Sequence, residues 1–171
     1  MTSTNPAAML RASHDHGWSR PASTVMMGSS SGGLTALGGL GLHQGLAAGG
    51  VVLYPVTDLA ALADASHRFE AHYTDSLVGP REEESKYRDR SPITYADRIH
   101  VPLLVMHGDE DPVVPLSSTL AFVERMRDAG GDVELVVMEG EGHGFRQAVN
   151  RRADFELTSA FLARLVPDSE G

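Results

Sequence analysis

Short apolar runs and amphipathic stretches alternate along this chain at the spacing of strands and helices. Ala7 to His16 has a helical pattern, with Gly17 placed as its stop. Ser23-Thr24-Val25-Met26-Met27 reads as a short buried strand, followed by a small-residue helix from Gly32 to about Leu46. That helix holds Gly38, Gly39, Gly41 and Gly45. Each glycine costs a helix about 1 kcal/mol against alanine, so the backbone is expected to pack closely on a neighbour, most simply the sheet. Val51-Val52-Leu53-Tyr54 is a second strand closed by Pro55, Val101 to Met106 a third and Val133 to Met138 a fourth. Between the second and third strands the pattern predicts short helices at Ala60 to Ala65, His67 to Leu77 and Glu82 to Asp89, with Ser91-Pro92 opening another. Ser117 to Ala129 reads as an amphipathic helix. Gln147 to Leu165 reads as the last helix, turning Phe155, Phe161, Leu162 and Leu165 to the core. Strands alternating with helices imply a parallel sheet with right-handed crossovers. The expected fold is α/β, a parallel sheet of about four strands with helices on both faces, in a single domain over residues 1–171.

Composition narrows the partners. With 171 residues, 42% of them hydrophobic and 22% charged, the chain reads as one ordinary globular unit. The formal net charge of -9 argues against nucleic acid or an anionic membrane as the main partner. There are no cysteines, which removes disulfides, thiolate metal sites and a cysteine nucleophile. No apolar run is long enough to span a bilayer, and Met1 to Pro6 lacks the apolar core of a signal peptide, so a cytoplasmic location is expected.

The chemistry sits at three strand ends. Gly28-Ser29-Ser30-Ser31-Gly32 follows the first strand and has the Gly-x-Ser-x-Gly form of a nucleophile elbow. A strand turning sharply into a helix leaves one serine oxygen standing clear, with strained backbone and glycines where side chains would clash. Ser30 is the candidate nucleophile. The same stretch also has the composition of a flexible linker. After the third strand comes His107-Gly108-Asp109-Glu110-Asp111-Pro112-Val113-Val114-Pro115, in which Asp109, Glu110 and Asp111 compete to orient a histidine. Taken alone this acidic cluster reads as a solvated loop, and His107 as a structural strand-end residue. After the fourth strand, Glu139-Gly140-Glu141-Gly142-His143-Gly144-Phe145 presents an imidazole between glycines. Of the chain's 8 histidines, His143 alone follows the acidic loop, which completes the order serine, acid, histidine.

Taken together, Gly28-Ser29-Ser30-Ser31-Gly32-Gly33, the His-Gly-x-x-Asp-x-x-Val-Pro run ending at Pro115, and Gly142-His143-Gly144-Phe145 resemble the α/β-hydrolase catalytic domain of the prolyl oligopeptidase family of serine peptidases. Tyr54-Pro55-Val56-Thr57-Asp58 and Arg90-Ser91-Pro92 are similar to its acylaminoacyl- and dipeptidyl-peptidase-like branch. The resemblance runs from about Ser23 to Leu165. It implies Ser30 as nucleophile, Asp111 as the acid and His143 as general base, the Ser31 N–H as an oxyanion donor, no cofactor, no metal, and a peptide or small acyl substrate. Tyr54 is a candidate substrate contact. Related carboxylesterases share these groups, and an inactive remnant serving as an assembly or binding module is the reading outside catalysis. The pattern departs from the family at its start. The four strands expected before the elbow strand, the loop that supplies the second oxyanion donor and the family's β-propeller have no counterpart. Impaired activity and an uncovered apolar edge strand, open to pairing in a homo-oligomer, are the expected consequences.

The other candidates read as structural. Asp58 reads as a helix N-cap, Glu82-Glu83-Glu84 as a solvated helix start and Trp18 as a structural residue. His67 and His72 stand five apart, off the spacing of a helical zinc pair.

Overall fold

The computed structural model describes residues 6–66 and 84–166. Its framework is a parallel sheet of four strands: β1 (Val25–Ser29), β2 (Gly49–Leu53), β3 (Leu103–Gly108) and β4 (Val133–Met138), side by side in chain order. The helices are α1 (Pro6–Asp15), α2 (Ser31–Leu42), α3 (Leu59–Ser66), α4 (Glu84–Arg90), α5 (Leu116–Asp128) and α6 (Ala148–Leu165), with a 3-10 segment at Pro92–Arg98. The expected helix His67 to Leu77, the His67/His72 pair, and Glu82 and Glu83 lie outside the described residues.

Side chains alternate across the pleat, so each face of the sheet builds its own core. Met26, Val52, Leu103 and Val105 face α2, α5 and the 3-10 segment, packing with Leu37, Leu40, Ile99, Phe122 and Met126. Val51, Leu104, Met106 and Met138 face the other way, where Phe161 and Leu165 of α6 cover them. Two neighbouring glycines of β2 mark how closely both layers approach. A Cβ on Gly49 would lie 2.4 Å from Leu165 of α6, and one on Gly50 would lie 2.6 Å from Leu40 of α2. β3 is buried along its whole length and β4 only partly, as befits a central and an outer strand.

Close packing explains the glycines of α2 only in part by the sheet. Gly39 lies under Met26 of β1, but Gly41 lies against the Tyr95 ring of the 3-10 segment. The helix ends at Leu42 rather than Leu46, which leaves Gly45 beyond it at φ 78, a left-handed conformation suited to glycine. β1 runs two residues further than the apolar run predicted, through Gly28 and Ser29, because backbone pairing with Val52 and Leu53 continues past the last apolar side chain. β2 and β3 likewise follow their ladders, beginning at Gly49 and ending at Gly108.

Two packing expectations fail. Phe155 is 73% exposed while Phe161 is 3% exposed. α6 seats the stripe Ala153, Leu157, Phe161 and Leu165 on the sheet, and Phe155, two residues off that stripe, points away from it. Trp18 is 80% exposed and stacks on His16, with ring centroids 4.9 Å apart, so it supports no core. Asp58 does cap α3, its Oδ1 accepting the N–H groups of Ala60 at 2.8 Å and Ala61 at 3.1 Å.

Candidate active site

All four strands are parallel, so their carboxyl ends share one rim, and each delivers one residue to it. Ser30 follows β1, Tyr54 follows β2, Asp111 lies beyond β3 and His143 beyond β4.

Ser30 occupies the turn between β1 and α2 at φ 53 and ψ -121, a conformation L-residues rarely adopt. Neighbouring backbone holds it there. Its N–H donates to the Leu53 carbonyl at 3.0 Å, and its carbonyl accepts from Leu34 at 3.2 Å and Val56 at 3.3 Å. The turn is too tight for a side chain at Gly28, where a Cβ would lie 2.3 Å from the Gly32 carbonyl oxygen. Gly32 itself meets no such limit, since a Cβ there would touch nothing within 4 Å. The second close approach is at Gly33, 2.7 Å from the Pro55 Cβ. The glycine requirement at this elbow therefore falls on positions 28 and 33 rather than 28 and 32. Ser31 opens α2, where N–H groups have no intrahelical acceptor and the helix dipole favours negative charge.

His143 reaches across to Ser30. Its Nε2 lies 2.9 Å from the Ser30 Oγ, and its Nδ1 lies 2.8 Å from the Asp111 Oδ2. A carboxylate only accepts, so Nδ1 carries the proton and Nε2 is left to accept the serine O–H. The imidazole is 23% exposed, whereas the Asp111 side chain is fully buried. Tyr54 packs its ring edge-on to His143 at 4.7 Å and to Phe145 at 5.6 Å. Tyr54 too holds a positive φ of 36, and its N–H donates to the Met106 carbonyl. It borders an open groove of about 560 Å³ lined also by Leu53, Phe145, Arg151, Arg152 and Phe155.

Of the three competing acids, the structure brings only Asp111 to the imidazole. Asp109 instead accepts the Gly140 N–H at 2.7 Å and fastens the histidine loop from below. The backbone N–H of Glu110 donates to the Glu141 carbonyl. Burial works to raise the Asp111 pKa, but hydrogen bonds from His107, the Val114 and Val113 N–H groups and His143 together outweigh it. The result lies well below the usual 3.8, at about 2.

Glu141 is a residue that the pattern did not single out. It is buried, with Oε2 accepting the Arg146 N–H and Oε1 the Gln147 N–H, each at 2.8 Å, and with Asn150 Nδ2 3.0 Å from Oε1. Burial pushes its pKa up, but these bonds and the nearby Arg146 charge bring it below the ordinary value. The carboxylate thus ties the His143 loop to the start of α6. An acid in a glycine-rich loop looks solvated in sequence. The one available signal was the proximity of a helix N-terminus, which attracts negative charge.

A parallel sheet with a strained serine between strand and helix, and an imidazole and a carboxylate following it at successive strand ends, is an α/β-hydrolase fold. Its relatives narrow this further. The chain belongs to the prolyl oligopeptidase family, whose model matches residues 5–168. It is 32% identical over 146 residues to the dipeptidyl aminopeptidase BIII of Pseudoxanthomonas mexicana, covering 82% of this chain and 21% of that protein. It is 42% identical over 60 residues to the esterase LipC of Mycobacterium tuberculosis, covering 34% of this chain and 15% of that one. The crystal structure of a puromycin hydrolase superposes with a TM-score of 0.87 at 39% identity, over 93% of this chain and 24% of that chain. The chain therefore spans about a quarter or less of the proteins it matches. Among the described residues no helix is long and apolar enough to cross a membrane, and no group of His, Cys, Asp or Glu side chains is placed to hold a metal ion.

Proposed function

We propose that this chain carries the catalytic groups of a serine hydrolase of the prolyl oligopeptidase type, acting on peptide bonds through an acyl-enzyme. The observation that carries the reading is the hydrogen-bonded chain from Ser30 through His143 to Asp111. In this mechanism His143 Nε2 takes the Ser30 proton as Oγ attacks the substrate carbonyl. The Ser31 N–H and the positive end of α2 hold the oxyanion that forms. Collapse of the intermediate expels the amine, which takes the proton from His143 and leaves the acyl group on Ser30. Water then attacks the acyl carbon and gives a proton to the same nitrogen, and the bond to Oγ breaks as His143 returns that proton to Ser30 and the acid product leaves. Asp111 stays ionised and keeps the imidazole in its Nδ1–H form. The Tyr54 ring beside His143 lies where an acyl side chain would approach, and is the proposed substrate contact.

Peptide substrates are favoured by the similarity to the dipeptidyl aminopeptidase, which extends along most of the chain. A carboxylesterase is the second reading, favoured by the higher identity to the esterase LipC over a shorter stretch. An inactive assembly module is the third. A fluorophosphonate probe tests catalysis directly. The wild type, Ser29→Ala and Ser31→Ala are expected to label, because alanine keeps the backbone N–H at 31, and Ser30→Ala is expected not to. Equal labelling of the wild type and Ser30→Ala would remove Ser30 as nucleophile. Parallel peptide-anilide and p-nitrophenyl ester assays separate peptidase from esterase.

A further inference from the structure

Asp111 is held by two imidazoles, not one. Beneath it, His107 is fully buried at the carboxyl end of β3. Its Nε2 lies 3.0 Å from the Val114 carbonyl and 3.4 Å from the same Oδ2 that receives His143. Its Nδ1 lies 3.0 Å from the Thr119 Oγ1 on α5. Both neighbours of Nε2 are acceptors, so that nitrogen must carry hydrogen. In a neutral ring Nδ1 then bears the lone pair, and the Thr119 hydroxyl is placed to donate to it. All polar atoms of this buried cluster are thereby satisfied with no positive charge on the His107 ring. The Val113 and Val114 N–H groups, at 2.8 and 2.9 Å, fill the other carboxylate oxygen.

We propose that His107 is a positioning residue for the proposed hydrolysis: a neutral Nε2–H imidazole, fixed by Thr119, that clamps the Asp111 carboxylate in the orientation that aims His143 at Ser30. It acts through Asp111 and does not touch substrate. The proposal rests on the hydrolase reading for its consequence in catalysis, but the clamp itself is a statement about hydrogen atoms and can be read without turnover. A buried carboxylate with one oxygen shared by two N–H donors has little freedom to rotate, and the imidazole above inherits that fixity.

The experiment uses the full chain with ¹⁵N-labelled histidine. Near pH 7 the His107 ring nitrogens are expected to show the shift pattern of a neutral Nε2–H tautomer. An imidazolium or an Nδ1–H tautomer would overturn the proposal. The second arm compares His107→Gln, whose amide keeps a donor near the Nε2 position, with His107→Leu, which has none. The low-field proton resonance of His143 Nδ1–H is expected to survive in the glutamine variant and to shift or broaden in the leucine variant. Fluorophosphonate labelling of Ser30 is expected to slow about tenfold in His107→Leu, the scale of one lost hydrogen bond to a charged group, and to recover most of the loss in His107→Gln. Where the leucine variant does not fold, Thr119→Val, which frees the ring from below, is expected to broaden the same His143 resonance. Labelling and resonance unchanged in the leucine variant, or in Thr119→Val where that is the folded one, would reject the clamp and leave the hydrolase reading intact. A wild type that does not label would reject the hydrolase reading, while the spectra still decide the clamp.

Discussion

Asp111 couples the site to the stability of the fold. Its pKa is lower folded, at about 2, than the usual 3.8 that an unfolded chain would show. A depressed carboxylate contributes stability above the unfolded value and loses that contribution as pH falls through the folded one. The contribution is on the order of 2 kcal/mol. Urea unfolding of the wild type and Asp111→Asn at pH 7 and pH 3 tests this. The wild type's advantage should be large at pH 7 and shrink on acidification, and a gap that does not depend on pH would contradict it. At this scale the sequence was legible where residue order carries the chemistry. Ser30, Asp111 and His143 meet as the resemblance implied. Order alone could not choose between Asp109 and Asp111, because both carboxylates reach the histidine loop, one to the Gly140 backbone and one to the imidazole. The sequence marked His107 only as a structural strand-end residue and did not single out Glu141, because their contacts exist only once β3, β4 and α6 lie side by side.

The loop from β4 to α6 behaves as a unit because Glu141 and Asp109 bind it from two sides. Glu141→Gln would turn an amide donor toward a backbone N–H in a buried place, at a cost of about 1–3 kcal/mol. The expected outcome is a lower melting temperature together with slower Ser30 labelling, since the loop carries His143. A lower melting temperature with unchanged labelling would separate the loop from the site. On α6, Phe161→Ala should cost about 3–5 kcal/mol and Phe155→Ala much less, read by chemical denaturation. Both rings lie on one helix, but the seated stripe runs through Ala153, Leu157, Phe161 and Leu165, and Phe155 falls on another face. At β1, pairing, not side-chain character, decides the last residue. Strand β4, whose apolar run is bounded on both sides, matches its expected span.

Considered whole, the described sheet leaves β1 paired on one side only, to β2, with Met27 52% exposed. An open strand of this kind recruits another strand. The isolated chain is expected to self-associate through it, giving a dimer or larger species in size-exclusion chromatography with light scattering. Turnover should be low even so. On the proposed mechanism the Ser31 N–H is the oxyanion donor found among the described residues, and a site working with one donor fewer is typically slower by roughly 100- to 1000-fold. A monodisperse monomer turning over esters near about 10 per second would refute both expectations.

The sheet is also laid down in the order of synthesis, β1-β2-β3-β4. Among these four, each strand can add to the edge left by the one before it, with no gap between them to be filled. The serine emerges 113 residues ahead of the imidazole that would arm it. On the proposed mechanism a growing chain would carry the serine long before its base, and would stay chemically silent while its own exposed segments are still within reach. Reactivity would then arrive only with β4 and the loop after it, so this order of assembly would itself act as a safety catch against premature attack on the unfinished chain.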